Sequence, residues 1–128
     1  MVTTLKPYVM NQQQNEILID ALNKCVAECN RCTTACLGEQ DISILTKCIQ
    51  LNIDCGDVCA LTAALLARDS KYAKYLLKTC MEMCNGCAEE CEKHSDMEHC
   101  VVCAEACRKC AEECANLQTA LMQQFQAL

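Results

Sequence analysis

The sequence predicts an all-α protein: an up-down-up-down four-helix bundle with a cysteine-lined core, built by internal duplication of a helical hairpin. Three observations carry that expectation. Cysteine supplies 16 of 128 residues. Those cysteines recur in steps of four, three and four, which are helical steps. A shift of 55 residues, Cys25 onto Cys80, lays the first half of the chain on the second, as a duplicated unit requires.

The first helix is expected over residues 12–37, after an N-terminal arm (residues 1–11) that contains Pro7. Asn11 is a candidate opening residue and Leu37-Gly38 a natural stop. Within it, Cys25, Cys29, Cys32 and Cys36 follow C-x3-C-x2-C-x3-C. At about 100° per residue they fall within an arc of roughly 60°. The second helix, residues 41–67, has Asp41 as its candidate N-cap and carries Cys48, Asn52, Cys55 and Cys59. Asparagine here takes the second place of the pattern. Arg68-Asp69-Ser70 separates it from a third helix, residues 70–93, with Cys80, Cys84, Cys87 and Cys91. Ser95-Asp96-Met97-Glu98 reads as a capping box opening the fourth helix, residues 96–127. That helix carries Cys100 and then Cys103, Cys107, Cys110 and Cys114.

Under the 55-residue shift every cysteine of the first half lands on a cysteine of the second, leaving Cys100 and Cys107 as extras. Asp41 falls on Asp96, Leu22 on Leu77 and Leu66 on Leu121. Beyond the cysteines the same stripe turns aliphatic at Leu18, Ala21, Leu22, Leu66, Ala73, Leu76, Leu121 and Phe125. Glu28, Lys47, Asp57, Lys78, Glu89, Arg108 and Glu112 mark the opposite faces, so each helix is amphipathic with a sulfur-rich stripe. Short links favour antiparallel neighbours, hence the up-down-up-down order. Gly56 and Gly86 sit inside helices, at a cost of about 1 kcal/mol each relative to alanine.

Residues 1–128 are expected to form a single domain. The net charge of −6 leaves no basic patch, which argues against nucleic acid as a partner. No apolar run approaches the ~18–20 residues of a bilayer span. The start, MVTTLKPYVMNQQQ, lacks an apolar export region, so a cytoplasmic location and no membrane partner are expected. In a reducing compartment thiols point to metal binding or thiol chemistry before disulfides.

Cysteine can serve as a small core hydrophobe, but that does not explain 16 in shared register. Disulfides fit poorly, since Cβ atoms at i and i+4 lie about 5–6 Å apart and a disulfide needs about 3.5–4.5 Å. A metal fits the gap better. Soft thiolates select Cu(I), Zn(II) or iron–sulfur clusters. With metal–sulfur bonds of about 2.2–2.3 Å, a linear bridge needs sulfurs about 4.5 Å apart. Charge balance favours Cu(I). Four tetrahedral zinc sites on 16 thiolates would leave about eight buried negative charges, each costing on the order of several kcal/mol. Cu(I) on bridging thiolates is neutral, and so are empty protonated thiols. Zinc binding, iron–sulfur binding and a thiol oxidoreductase built on Cys29-x2-Cys32 or Cys84-x2-Cys87 stand as alternatives.

On these motifs the sequence resembles the bacterial copper storage proteins, particularly their cytosolic members. The similarity spans about residues 12–127 and is strongest from His94 to Cys110, through His99, Cys100, Cys103 and Cys107. The resemblance implies non-enzymatic storage of many Cu(I) ions along the bundle axis, exchange with copper donor and acceptor proteins, and a homotetramer. It also implies histidines at the bundle mouth, where exported members have methionines and a leader. His94 and His99 match that pattern. Asn52 departs from the full cysteine repeat. The helix 1–2 and 3–4 turns share one end of the bundle. Copper is therefore expected to enter beside His94, Met97 and His99, opposite the aliphatic plug.

Overall fold

A computed structural model describes the backbone of residues 2–126 and the side chains of residues 12–123. Its elements are α1 (Val2–Leu37), α2 (Thr46–Ala67), α3 (Leu77–Glu92) and α4 (Glu98–Gln126), with no strand among the described residues. Each helix packs on two neighbours: α1 on α2 and α4, α3 on α2 and α4. Cys25 meets Cys55 and Cys107, while Cys32 meets Cys100 and Cys48 meets Cys91. Residues early in one helix therefore face residues late in the next, and adjacent helices are antiparallel. The architecture is the expected four-helix bundle.

The helix ends differ from expectation in ways the local chemistry explains. α1 does not open at Asn11; its helical backbone begins at Val2 and takes in the segment expected as an arm. Propagating an existing helix costs little compared with nucleating one. Residues 42–45 form a separate 3-10 turn, and α2 begins at Thr46. The Asp41 carboxylate caps no helix N–H; instead it accepts the Ser43 hydroxyl at 2.5 Å. Ile42, Ser43 and Ile44 are weak helix formers, and the tighter turn swings Leu45 to full burial.

At its far end α2 closes with Asp69 at φ 53°, a left-handed residue. The Ser70 N–H reaches the Leu65 carbonyl at 2.9 Å, and the Asp69 N–H the Leu66 carbonyl at 3.1 Å. This double bond pattern is a Schellman stop with aspartate in place of glycine. A 3-10 turn, Ala73–Leu76, then delays α3 to Leu77 rather than residue 70. The capping box at Ser95 does not form a helix start. Residues 93–97 are turns, and the Met97 carbonyl accepts the Cys100 N–H at 3.0 Å and the Val101 N–H at 3.2 Å.

The aliphatic plug consists of Leu18, Leu22, Leu66, Leu77 and Leu117, all buried. Leu77 and Leu117 take the inward places, and Leu76 and Leu121 are only partly buried. Phe125 has its side chain outside the described residues. At the other end Leu45 is buried and Met97 packs against the core, so that end is also partly covered by apolar side chains. Contrary to the expectation that no run approaches a bilayer span, the segment Ile42–Ala67 is long and apolar enough to cross a membrane by length and composition alone, with an 18-residue window at a mean hydropathy of 1.3. Its apolarity comes in part from Cys48, Cys55 and Cys59, which face the bundle interior with no exposure.

The two helical glycines differ. A Cβ on Gly56 would lie 3.6 Å from the Cys29 Cβ and 3.7 Å from the Asn30 side-chain oxygen, an ordinary contact where α2 approaches α1. A Cβ on Gly86 would meet nothing within 4 Å. Gly86→Ala should therefore raise unfolding stability by about 0.5–1 kcal/mol, the intrinsic helix cost of glycine. Urea unfolding of the reduced metal-free protein checks this. A variant no more stable than the parent would mean that the Gly86 face is not free.

Candidate metal centre

All 16 cysteines are free thiols, and all are buried. None exceeds 1 % exposure, because the arc they share on each helix is the arc that faces the bundle axis. Four such arcs bring the sulfurs into one continuous column. Cys25, Cys29, Cys55 and Cys107 form one four-sulfur group with all Sγ atoms within 4.8 Å of one another. Cys25, Cys55, Cys59 and Cys84 form another, and Cys59, Cys80, Cys84 and Cys110 a third. Cys29, Cys87, Cys103 and Cys107 continue toward the turns, and Cys32, Cys36, Cys48 and Cys100 stand at the mouth. Cys91 lies 3.6 Å from Cys48, and Cys114 is buried beside the plug. Along α4, Cys100 to Cys114 spans about 21 Å of axis.

Two features of this column bear on its chemistry. Cys25, Cys29, Cys55, Cys59, Cys84 and Cys107 each belong to two groups at once. Tetrahedral zinc takes four donors per ion, whereas Cu(I) accepts two, so shared sulfurs suit bridging thiolates between many closely spaced monovalent ions. The spacing itself departs from expectation. Cys25–Cys29, Cys32–Cys36 and Cys55–Cys59 stand at 3.9 Å, closer than the linear bridge estimate. This is the contact distance of neutral thiols. A linear S–Cu–S bridge near 4.5 Å requires each pair to open by about half an ångström, within reach of a χ1 adjustment.

Asn52, at the odd place in the repeat, is fully buried and fully used. Its Oδ1 accepts the thiols of Cys87 at 3.0 Å, Cys103 at 3.3 Å and Cys91 at 3.7 Å, while its Nδ2 donates to the Cys48 sulfur at 3.7 Å. An amide satisfied only by thiols is neutral, so the empty column contains no stranded charge.

The two histidines occupy different environments. The Nδ1 of His99 lies 3.5 Å from the Cys32 sulfur, 3.6 Å from Cys100 and 3.9 Å from Cys36. It therefore closes the mouth group as a nitrogen donor among three sulfurs. His94 instead places Nε2 3.4 Å from the Glu90 carboxylate, which Lys93 approaches at 3.2 Å and Lys47 at 3.7 Å. Glu90 is only 7 % exposed, and these cations compensate its charge. Met97 packs, partly buried, against the core. At the mouth, burial pushes the Cys36 thiol up to about 11 and raises Cys100 as well. Neutral thiols are therefore the resting state of Cys36 and Cys100, whose protons a metal must displace, whereas hydrogen bonds with Cys32 and Cys91 lower Cys48 to about 3.

Comparison with known proteins agrees with this chemistry. Residues 11–119 match the copper storage protein family. An uncharacterized cysteine-rich protein of Bacillus subtilis, YhjQ, is 40 % identical over 89 residues, covering 70 % of this chain and 82 % of that one. The Cu(I)-bound copper storage protein BsCsp3 superposes with a TM-score of 0.78 at 39 % identity, covering 82 % of this chain and 98 % of that one. A cytosolic copper storage protein from Streptomyces lividans carrying five coppers gives a TM-score of 0.83 at 39 % identity, covering 86 % and 96 %. The copper storage protein Ccsp from Streptomyces lividans, loaded with 10 copper equivalents, gives 0.81 at 40 % identity, covering 84 % and 86 %. From a buried column of shared thiols in a four-helix bundle, and from these matches, the chain belongs to the copper storage protein family.

Proposed function

We propose that this protein stores Cu(I) as a cargo of many ions per chain in the cytoplasm, and that its 16 thiols and His99 are the ligands. The observation that carries this reading is the overlap of buried four-sulfur groups along one axis. Each shared sulfur can bridge two copper ions, so the column fills as a continuous neutral array. A chaperone would need one accessible site. A thiol oxidoreductase would need an exposed, activated pair, whereas Cys29, Cys32, Cys84 and Cys87 lie mid-helix with no exposure. The reading is accordingly storage, not catalysis. The homotetramer implied by the resemblance belongs to the same reading, and the exposed Ile53 and Leu61 of α2 offer apolar surface for it.

Copper enters at the end where the α1–α2 and α3–α4 turns meet. The histidines divide the work there. His99 receives the ion and passes it to Cys32, Cys36 and Cys100, since imidazole binds Cu(I) but holds it less firmly than thiolates. His94 supports the rim through Glu90 and Lys93, and its contribution to copper is indirect.

Anaerobic titration with Cu(I) against a competing chelator should end on the order of ten to twenty ions per chain, about one per thiol. An endpoint of one or two would contradict storage. His99→Ala should leave that endpoint within about one ion while slowing both loading and chelator-driven removal several-fold. His94→Ala should change copper exchange far less, and should lower thermal stability only slightly, because Lys93 and Lys47 still pair with Glu90. Equal kinetic effects of the two substitutions would overturn the division of roles.

A further inference from the structure

The mouth histidine has a second nitrogen that the copper chemistry leaves unexplained. His99 Nε2 is buried and has no hydrogen-bond partner among the described residues. The carboxylate of Glu39 faces it, with Oε2 3.7 Å away. Glu39 lies in the α1–α2 turn, just past the Gly38 stop, and its side chain is 35 % exposed. It therefore reaches the ring from the solvent side, while the sulfurs of Cys32, Cys36 and Cys100 face Nδ1 from the core side.

We infer that Glu39 is a positioning residue for His99: its carboxylate selects the imidazole tautomer with the proton on Nε2, leaving the Nδ1 lone pair facing the mouth thiols. This rests on the reading of His99 as the receiving ligand. A neutral imidazole carries one proton on one of two nitrogens. With the proton on Nδ1, the ring points a donor at the sulfurs and no lone pair at an incoming ion. It also buries a bare Nε2 beside a carboxylate, two acceptors facing each other. With the proton on Nε2, the N–H points at Glu39 and Nδ1 is ready to bind. A torsion of the partly exposed Glu39 side chain closes 3.7 Å to hydrogen-bond distance. Metal-binding histidines generally donate their other N–H to a carboxylate, carbonyl or water, and this fixes the ring and raises its basicity. Here the partner comes from the neighbouring turn, so the α1–α2 link contributes to the mouth as well as to the fold.

The variants to compare are Glu39→Ala, which removes the acceptor, and Glu39→Gln, which keeps an accepting oxygen. Long-range nitrogen–proton correlation spectra of the reduced, metal-free protein report the His99 tautomer directly, independent of any copper. The wild type and Glu39→Gln should show a protonated Nε2 and a bare Nδ1, whereas Glu39→Ala should show a mixture of tautomers. In copper transfer from a chelated donor, Glu39→Ala should load its first ions more slowly, by no more than the several-fold slowing expected of His99→Ala, in line with the loss of an outer partner of a metal ligand. Its final copper count should be unchanged. A single Nε2–H tautomer in Glu39→Ala, with loading at the wild-type rate, would overturn the assignment of Glu39. A wild-type protein that took up no copper would instead overturn the storage reading, so the two failures are distinguishable.

Discussion

Electroneutrality of the buried core is the constraint on which the rest of this structure depends. A column of 16 thiols at most 1 % exposed cannot hold a net charge without a large desolvation cost. Protonated thiols satisfy that condition when the protein is empty, and they pack as small apolar groups. Monovalent copper on bridging thiolates satisfies it when the protein is full. Divalent tetrahedral sites satisfy it in neither the intermediate nor the final state. Asn52 obeys the same condition, as a neutral amide whose four contacts are all with thiols. The carboxylates that are buried, Glu28, Glu90 and Glu113, stand outside the column and are each paired with lysine or arginine.

Neutrality alone does not hold four helices together, and cysteine buries little area. The stability of the bundle is divided accordingly. Leu18, Leu22, Leu66, Leu77 and Leu117 form a conventional apolar plug at one end, and Leu45 caps the other. Glu–Lys and Glu–Arg pairs lace the rims, each worth little alone. A core that must change its contents without changing its shape is thus framed by elements that do not take part in the exchange.

The column was legible in the sequence because its chemistry and its geometry share one period. Steps of four, three and four place cysteines on one face of any helix, whatever its ends do, so their burial and convergence followed from spacing. The helix ends were less legible. Asp41 and Ser95 are good capping residues by composition. The structure spends Asp41 on Ser43 and leaves Ser95 in a turn, because 3-10 and turn geometry better delivers Leu45 and Met97 to the core. Leu77 takes the plug place expected of Leu76 because the 3-10 turn before α3 shifts the register by a residue, and Leu117 lies one turn before the expected Leu121 on the same face of α4. The place of the histidines at the mouth was legible, but the division of roles between them was not. His94 and His99 are near neighbours in sequence, and only the path of the turn between Lys93 and Met97 sends one ring to Glu90 and the other to three sulfurs.

The most direct test of a core that stays neutral is to count protons as copper binds. Cu(I) stabilised by acetonitrile would be added to the reduced protein, anaerobically and in weak buffer, with base consumption recorded at constant pH. Filling neutral thiols with monovalent ions should release about one proton per copper across most of the titration. A count near zero would mean that the thiols are already ionised in the empty core, and a count well above one would mean that charge accumulates as it fills; either result would contradict a column built to be neutral in both states.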